Sequence, residues 1–334
     1  GPLVHAIKSS WSETLGQKGA LHRKNQDISV KYIVLSILLL FISLLILLSC
    51  YLTPFFHDHL MFVIISLVCL LFMTLILGFL ISGTAGYMAA LVGSFNSPLS
   101  PLGILALIIL AVLMALLGQI FLPHIGHVEK KALMSLVIIS TSCIFSMACV
   151  ANDNMQDLKT GQLVGSTPWK QQCVLIIGIM VGSLIIPYIL NQMYLAYGFL
   201  GHLPSQSMNS HLALAIPQAH LMAALLSGVI EYQFNWYMML IGVLIGFVLI
   251  VAKRFCARSS FKISIMSVGI GMYLPFTITS TIIIGGLMQG IARVKGKRES
   301  SEKSTLFASG LIVGNAFVAV ILAGYFGINP PGFV

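Results

Sequence analysis

The sequence ALMSLVIISTSCIFSMACV at Ala132–Val150 is followed, after Ala151, by the polar decapeptide NDNMQDLKTG at residues 152–161. The apolar run has about 20 residues, the length of an α-helix that crosses the hydrocarbon core of a bilayer. The decapeptide should therefore lie at or just inside a membrane boundary. Ionisable groups in that position are costly, and they mark the path of an ion or a solute by default. This juxtaposition predicts a membrane transporter.

The composition of the whole chain excludes a soluble protein. Hydrophobic residues make up 58% of the 334 residues, charged residues make up 8%, and the mean hydropathy is +0.99. A soluble domain carries about 25% charged residues. Lys and Arg, which give a net charge of +9, cluster at the ends of apolar runs. There they set orientation and meet anionic lipid headgroups, so the charge does not indicate nucleic-acid binding.

The spacing of the apolar runs predicts an all-α fold, a polytopic transmembrane helical bundle with about eight spanning segments. Residues 1–29 form a polar, basic amino-terminal segment, and residues 30–328 form the transmembrane domain. One or two segments should be broken or re-entrant, because one is short and another contains internal Gly and Pro. The predicted segments are Val30–Thr53, Leu60–Ile81, Leu102–Leu122, Ala132–Val150, Cys173–Tyr197, Pro217–Ile230, Trp236–Ala252, Ile263–Ile291 and Leu306–Phe326.

Proline and glycine give the expected ends and contacts of these helices. Pro54 is predicted to end the first segment, and a group of glycines (83, 86 and 93) the second. Four segments also carry Gly-x-x-x-Gly, which lets helix backbones approach closely in lipid. These motifs favour a compact bundle. They are Gly178/Gly182, Gly242/Gly246, Gly286/Gly290 and Gly310/Gly314.

Two carboxylates of the decapeptide are candidates for coupling transport to protons. Asp153 and Asp157 are four residues apart, so on a helix they would face the same way and repel each other. Repulsion and a low dielectric both disfavour the second negative charge, so one of the pair could exchange a proton near neutral pH. Lys159 is expected to offset part of the charge, and Thr160 with Gly161 to turn the chain. The alternative is a solvated loop that only anchors the preceding helix.

A second candidate region is Gly86–Pro101, where glycines and prolines separate two apolar runs. Irregular backbone at membrane depth is tolerated only where it is buried in protein or lines a wet cavity. Broken segments of this kind build substrate sites in transporters. Tyr87, Ser94 and Asn96 are therefore predicted to line the solute path, and an ordinary connecting loop is the alternative.

Other polar residues in apolar surroundings are also candidates for the path. Three are amides of the decapeptide, and they bring a polar site level with a bare cap as an interpretation of that segment. The other three are isolated, and for them a bond to a neighbouring helix or a simple kink is the alternative. The six residues are Asn152, Asn154, Gln156, Gln218, Tyr273 and Asn315.

Metal binding and enzymatic activity find no support in the sequence. The six Cys lie in or beside apolar runs without Cys-x-x-Cys spacing, which favours their role as small hydrophobes. His57 and His59, like His124 and His127, lie in short connections without further ligands, so no metal or cofactor is expected. No phosphate-binding loop, nucleophile elbow or His-Glu-x-x-His motif is present.

The decapeptide and its surroundings resemble the oligopeptide transporter family, nearest its bacterial and yellow-stripe-like branch. The signature Asp-x-Met-Gln-Asp-Leu-Lys-Thr-Gly at 153–161 is complete, and Gly165–Pro168 with Gln171 resembles its continuation, although Trp169 replaces a usual basic residue. Residues 93–100 resemble a bacterial signature of the family, from which Phe95 and the following Pro101 depart. Further similarity covers residues 271–275, 308–312 and 330–331.

The resemblance covers nearly the whole chain but only the carboxy-terminal half of the family's pattern. It implies secondary active transport, usually with protons, that imports small peptides or peptide-like metal chelates of the iron–siderophore type. The expected partners are the solute, protons, the lipid bilayer, and either the amino-terminal half of the same transporter or further copies of the chain. The expected location is the bacterial inner membrane. The alternative is a non-transporting membrane subunit or assembly partner.

Overall fold

The computed structural model describes residues 27–94, 97–122, 126–204, 213–214, 216–255, 265–273, 276–294 and 300–328. Within these ranges the chain is helical, with two isolated β-bridges and no strand. The helices are α1 (Val30–Phe56), α2 (Leu60–Val92), α3 (Leu99–Phe121), α4 (His127–Val164), α5 (Pro168–Tyr197), α6 (Pro217–Ile230), α7 (Trp236–Phe255), α8 (Ile265–Tyr273), α9 (Phe276–Val294) and α10 (Ser300–Ile328).

The predicted all-α polytopic membrane fold is confirmed. Six helices in the described part of the chain (α1 to α5 and α7) are long and apolar enough to cross a membrane, and three further apolar stretches are shorter. One of these, α6, has 14 residues. At 1.5 Å per residue it spans about 21 Å, less than the ~30 Å hydrocarbon core. The predicted segment 263–291 falls into two helices, α8 and α9, on either side of residues 274–275.

One predicted helix end is wrong, and the other is right only at the last of its three glycines. Pro54 lies inside α1, which continues to Phe56, because a proline in the last turn removes only one hydrogen bond and apolar helices tolerate that loss. Gly83 and Gly86 lie inside α2, which ends at Gly93 with φ +85°. Gly86 lies close to α4 instead, where a Cβ would be 3.3 Å from Met155 Cγ.

The chain divides into two compact units, Gly1–Gly182 with Leu221–Phe234, and Ser183–His220 with Asn235–Val334. In the first unit, α2 lies against α1, α3 and α4, and its contact with α4 is the most extensive. The core side chains are almost all aliphatic. Those that are completely buried include Leu48, Leu52, Leu70, Leu110, Met114, Leu136, Val137 and Ile144.

Glycine contacts fix the register of this core. Gly78 lies against Met147 and Gly86 lies against Ala151, so α2 and α4 run in the same direction. The intervening α3 runs the opposite way, and its Gly103 lies against the Phe145 ring. Consequently the carboxyl ends of α2 and α4 lie at the same end of the unit, together with the start of α3.

Seven of the eight glycines in the Gly-x-x-x-Gly motifs make no close contact with the part of the chain that the structure describes. The motif allows close approach but does not require a partner helix within the same chain. A Cβ would meet no atom within 4 Å at Gly178, Gly242, Gly246, Gly286, Gly290, Gly310 or Gly314.

Candidate functional site

The decapeptide is helical throughout and forms the last turns of α4. Thr160 and Gly161, predicted to turn the chain, lie inside the helix, which continues to Val164. The segment is therefore not a loop, whereas the alternative that it only anchors α4 stays open. The turn comes at Gly165, which has φ +79° and ψ 24°. This left-handed conformation favours glycine because it has no Cβ, so Gly165 ends α4 more effectively than the polar residues before it.

The hydrogen bonds at this end are those of a Schellman motif. The N–H of Ser166 donates to the carbonyl of Gly161 at 2.8 Å, and the N–H of Gly165 donates to the carbonyl of Gln162 at 3.4 Å. Two of the carbonyls that a helix end leaves without partners are thereby satisfied. The carboxyl end of α4 is thus defined by local sequence.

Helix α5 begins immediately after this motif. Thr167 is buried, and its carbonyl accepts the N–H groups of Lys170 and Gln171 at 3.2 and 3.4 Å. Pro168 occupies the first helical position, where its missing N–H costs nothing. The α4–α5 connection is therefore a tight hairpin that places the first turn of α5 beside the last turns of α4.

Asp153 and Asp157 share one face of α4, as predicted, because residues four apart in a helix lie on the same side. Both side chains are exposed on the surface of the chain, so the chain itself does not supply the low-dielectric surroundings expected for them. Asp153 Oδ1 accepts a hydrogen bond from Asn152 Nδ2 at 3.2 Å. Lys159 does not pair with either acid; its Nζ donates to Gln162 Oε1 at 2.9 Å. Because Lys159 is two residues beyond Asp157 in a helix, its side chain faces away from that carboxylate.

Of the predicted break at 86–101, residues 86–92 belong to α2 and residues 99–101 to α3, and residues 95–96 lie outside the described part of the chain. Ser94 is at the centre of the contact between this segment and α4. The Ser94 carbonyl accepts a hydrogen bond from Asn152 Nδ2 at 3.4 Å and another from the N–H of Ser97 at 3.2 Å. The Ser94 hydroxyl donates to Gln156 Oε1. Tyr87 lies on α2 and is half-exposed. Asn96 lies outside the described residues.

Asn152 is the buried member of the predicted polar site. Only 1% of its surface is exposed, and its Oδ1 atom has no hydrogen-bond donor. Both Nδ2 contacts are to oxygen acceptors, Ser94 O and Asp153 Oδ1, which fixes the orientation of the amide. Asn154 is half-buried, and Gln156 is exposed. The structure therefore brings Asn152, Gln156 and Ser94 together beside Asp153.

The three isolated candidates belong to the second unit of the chain. Gln218 is half-buried in the first turn of α6, Tyr273 is the last residue of α8, and Asn315 is exposed on α10.

No group of three or more potential metal ligands occurs among the residues that the structure describes. His57 Nε2 lies 3.2 Å from Asp58 Oδ2 in an exposed pair. His59 immediately precedes α2, and His127 begins α4. His124 lies outside the described ranges.

Gln171, named in the sequence only for its resemblance to the family's pattern, is a further member of the site. Its Nε2 donates to the carbonyl of Asp157 at 3.5 Å, and its amide occupies the space where a Cβ of Gly161 would be. Position in the sequence is the signal that could have identified it. A polar residue in the first turn after a Gly-x-Thr-Pro hairpin faces back along the preceding helix.

The comparisons with known proteins agree with this membrane fold. The family model described as "OPT oligopeptide transporter protein" matches residues 3–326. A Haemophilus influenzae protein named "Putative oligopeptide transporter" is 37% identical over 328 residues, covering 92% of this chain and 50% of that protein. A Saccharomyces cerevisiae protein of the same description is 25% identical over 224 residues, covering 65% of this chain and 30% of its own length.

The chain thus spans half or less of the length of these relatives. No solved structure matches it. The family match nevertheless extends over nearly the whole sequence, and it includes the end of α4, the α4–α5 hairpin and the break after α2. The sequence resemblance is confirmed: this integral membrane protein belongs to the oligopeptide transporter family.

Proposed function

We propose that this protein takes part in proton-coupled import of small peptides or peptide-like metal chelates across the bacterial inner membrane. Membership of a transporter family supports a transport role over an enzymatic one. The name of the Haemophilus influenzae relative supports an oligopeptide as the solute. Because the chain covers 50% of that relative, transport by the whole protein involves an amino-terminal half or further copies of the chain.

The observation that carries the proposal is the polar end of α4. Asp153 and Asp157 lie on one face of a helix whose preceding residues form an apolar, membrane-length run. Carboxylates at membrane depth form proton relays in pumps and transporters. Neither acid has an ion-pair partner among the described residues, so each can gain or lose a proton without breaking a salt bridge.

The neighbouring break after α2 supports a role for this region in solute binding. Ser94 offers a hydroxyl and a carbonyl, and both are engaged by amides of α4. Interrupted helices in transporters present such groups to the solute. A solute that displaces one of these hydrogen bonds would act directly on the helix that carries the two carboxylates.

Uptake by the full-length protein in proteoliposomes tests the proposal. An inwardly directed proton gradient should drive accumulation of radiolabelled trialanine or of the iron(III) complex of desferrioxamine B, and a protonophore should abolish it. Asp157→Asn should remove the dependence on the gradient, because an amide cannot exchange the proton, while leaving the helical fold intact. Full pH dependence in Asp157→Asn would contradict the coupling role.

The alternative, a membrane subunit without transport activity of its own, gives a different result in the same assay. It predicts that vesicles containing the full-length protein show no uptake above empty vesicles at any gradient. Asp153→Asn and Asp157→Asn would then change neither flux nor its pH dependence. Circular dichroism of each variant verifies that the helices are retained.

A further inference from the structure

The amide of Gln171 lies at the end of the face that carries the two carboxylates. Asp153, Asp157 and Gly161 follow one another at intervals of four residues, so they form a single row along α4. The third member of this row has no side chain, and the Gln171 amide fills that place. The row therefore consists of two acids and then a neutral amide supplied by α5.

The fit between Gln171 and Gly161 depends on the absence of a Cβ. A methyl group built on Gly161 would overlap Nε2, Oε1 and Cδ of Gln171. Gly161 is also buried and has ordinary helical backbone, so its conformation does not require glycine. The reason for glycine at this position is the space that it leaves for the amide.

The same amide contacts the main chain of Asp157. Gln171 Nε2 donates to the Asp157 carbonyl oxygen at 3.5 Å, and its Oε1 is buried without a hydrogen-bond donor. The backbone of Gln171 is itself held by the Thr167 carbonyl at 3.4 Å. The Asp157 turn of α4 is thereby tied to the first turn of α5 by a group that does not titrate.

We propose that Gln171, seated in the notch of Gly161, is a positioning residue for Asp157 in proton coupling. The inference rests on the proposed function, because it assumes that Asp157 exchanges the coupled proton. Gln171 does not take up the proton; it fixes the carboxylate-bearing turn relative to α5. Loss of this contact would leave Asp157 chemically unchanged but free to leave the position in which it exchanges its proton.

Two substitutions of different chemistry remove the same contact. Gln171→Ala deletes the amide, and Gly161→Ala displaces it with a methyl group. In the full-length protein, each should lower proton-driven uptake of trialanine about tenfold, since small misplacements of a reacting group cost at least that much. Gly324→Ala is the control, because a Cβ at Gly324 meets no atom within 4 Å and Gly324 is outside the four Gly-x-x-x-Gly motifs; its uptake should equal that of the wild type.

The double variant Gly161→Ala/Gln171→Ala separates positioning from packing. In the double variant, the new methyl group occupies the space that the amide leaves. The double variant should therefore be more stable to heat than Gly161→Ala, and the effects of the two substitutions on stability should be non-additive. Uptake should stay about tenfold low, because Gln171 is still missing. Recovery of uptake together with stability would show a purely structural contact and overturn the inference. Additive stability effects would show that the two residues do not meet, with the same consequence.

Combination with Asp157→Asn distinguishes this inference from the function on which it rests. If Asp157 couples the proton and Gln171 positions it, adding Gln171→Ala to Asp157→Asn should cause no further loss of uptake. A further loss of about tenfold would place Gln171 outside the coupling step and overturn the inference. Retained pH dependence in Asp157→Asn alone would instead refute the coupling role, whereas the stability cycle would still report whether Gln171 and Gly161 are in contact.

Discussion

Replacement of Asn152 by leucine should separate stability from transport. Asn152 is almost fully buried, and deletion of a buried polar side chain normally destabilises a protein because it leaves a partner unsatisfied. Removal of the Asn152 side chain leaves no partner unsatisfied. Ser94 O keeps the N–H of Ser97 at 3.2 Å, and the exposed Asp153 carboxylate regains solvent.

The expected change in the free energy of unfolding is therefore small. The two bonds of Asn152 Nδ2, at 3.4 and 3.2 Å, lie at or beyond the long end of the usual range, so their loss costs about 1 kcal/mol in total. Fitting the bulkier side chain costs about 1 kcal/mol more. Removal of the buried Oδ1 that lacks a donor returns about 1–3 kcal/mol. Asn152→Leu should thus unfold within about 1 kcal/mol of the wild type.

Thermal unfolding in detergent micelles, run beside the wild type, measures this difference; for a chain of 334 residues, 1 kcal/mol corresponds to about 1.5 °C. Proteoliposome uptake should nevertheless be lost, because leucine cannot contact Ser94 O or Asp153. Asn152→Asp is the control of equal shape: it places a carboxylate against oxygen acceptors and should cost about 3 kcal/mol or more. A loss of that size in Asn152→Leu, or unchanged uptake, would refute the reasoning.

Three further substitutions test the packing of the first unit by thermal unfolding. Gly103→Ala should cost about 1–3 kcal/mol, since a Cβ would lie 2.6 Å from the Phe145 ring; an unchanged midpoint would contradict this contact. Gly165→Ala should cost about 1 kcal/mol because φ is +79°, and an equal loss in Gly165→Asn would show that strain is not the cause. Tyr232→Phe should cost about 1 kcal/mol through loss of the 2.9 Å bond to the Ala115 carbonyl, and no change would show that this bond is not formed.

The membrane-spanning helices could be predicted because each depends on a property of one continuous segment. Apolar runs of about 20 residues are sufficient to indicate α1 to α5 and α7. Proline and glycine were less informative. Proline and glycine often end helices in soluble proteins. In an apolar helix no water competes for the backbone hydrogen bonds, and the helices here continue through Pro54 and Gly86.

The contacts of the candidate site were less predictable, because they depend on how helices far apart in sequence are aligned. The same-side placement of Asp153 and Asp157 follows from helical periodicity alone. The bond from Ser94 to Gln156 joins residues 62 positions apart, and it exists only because α2 and α4 run in parallel with one register. Gln171 is close in sequence, yet its place over Gly161 requires the geometry of the hairpin at Gly165.

If Asp153 and Asp157 exchange protons as proposed, the lengths of α2 and α4 bear on where that exchange takes place. Helix α4 has 38 residues and α2 has 33, so they measure about 57 and 50 Å. Even at a tilt of about 40°, α4 extends roughly 44 Å along the membrane normal, more than the ~30 Å hydrocarbon core. If its apolar run fills that core, Asp153 and Asp157 lie within about 10 Å of the boundary. One aqueous face can then reach both acids directly, so access from the opposite face must involve groups beyond the α2–α4 pair.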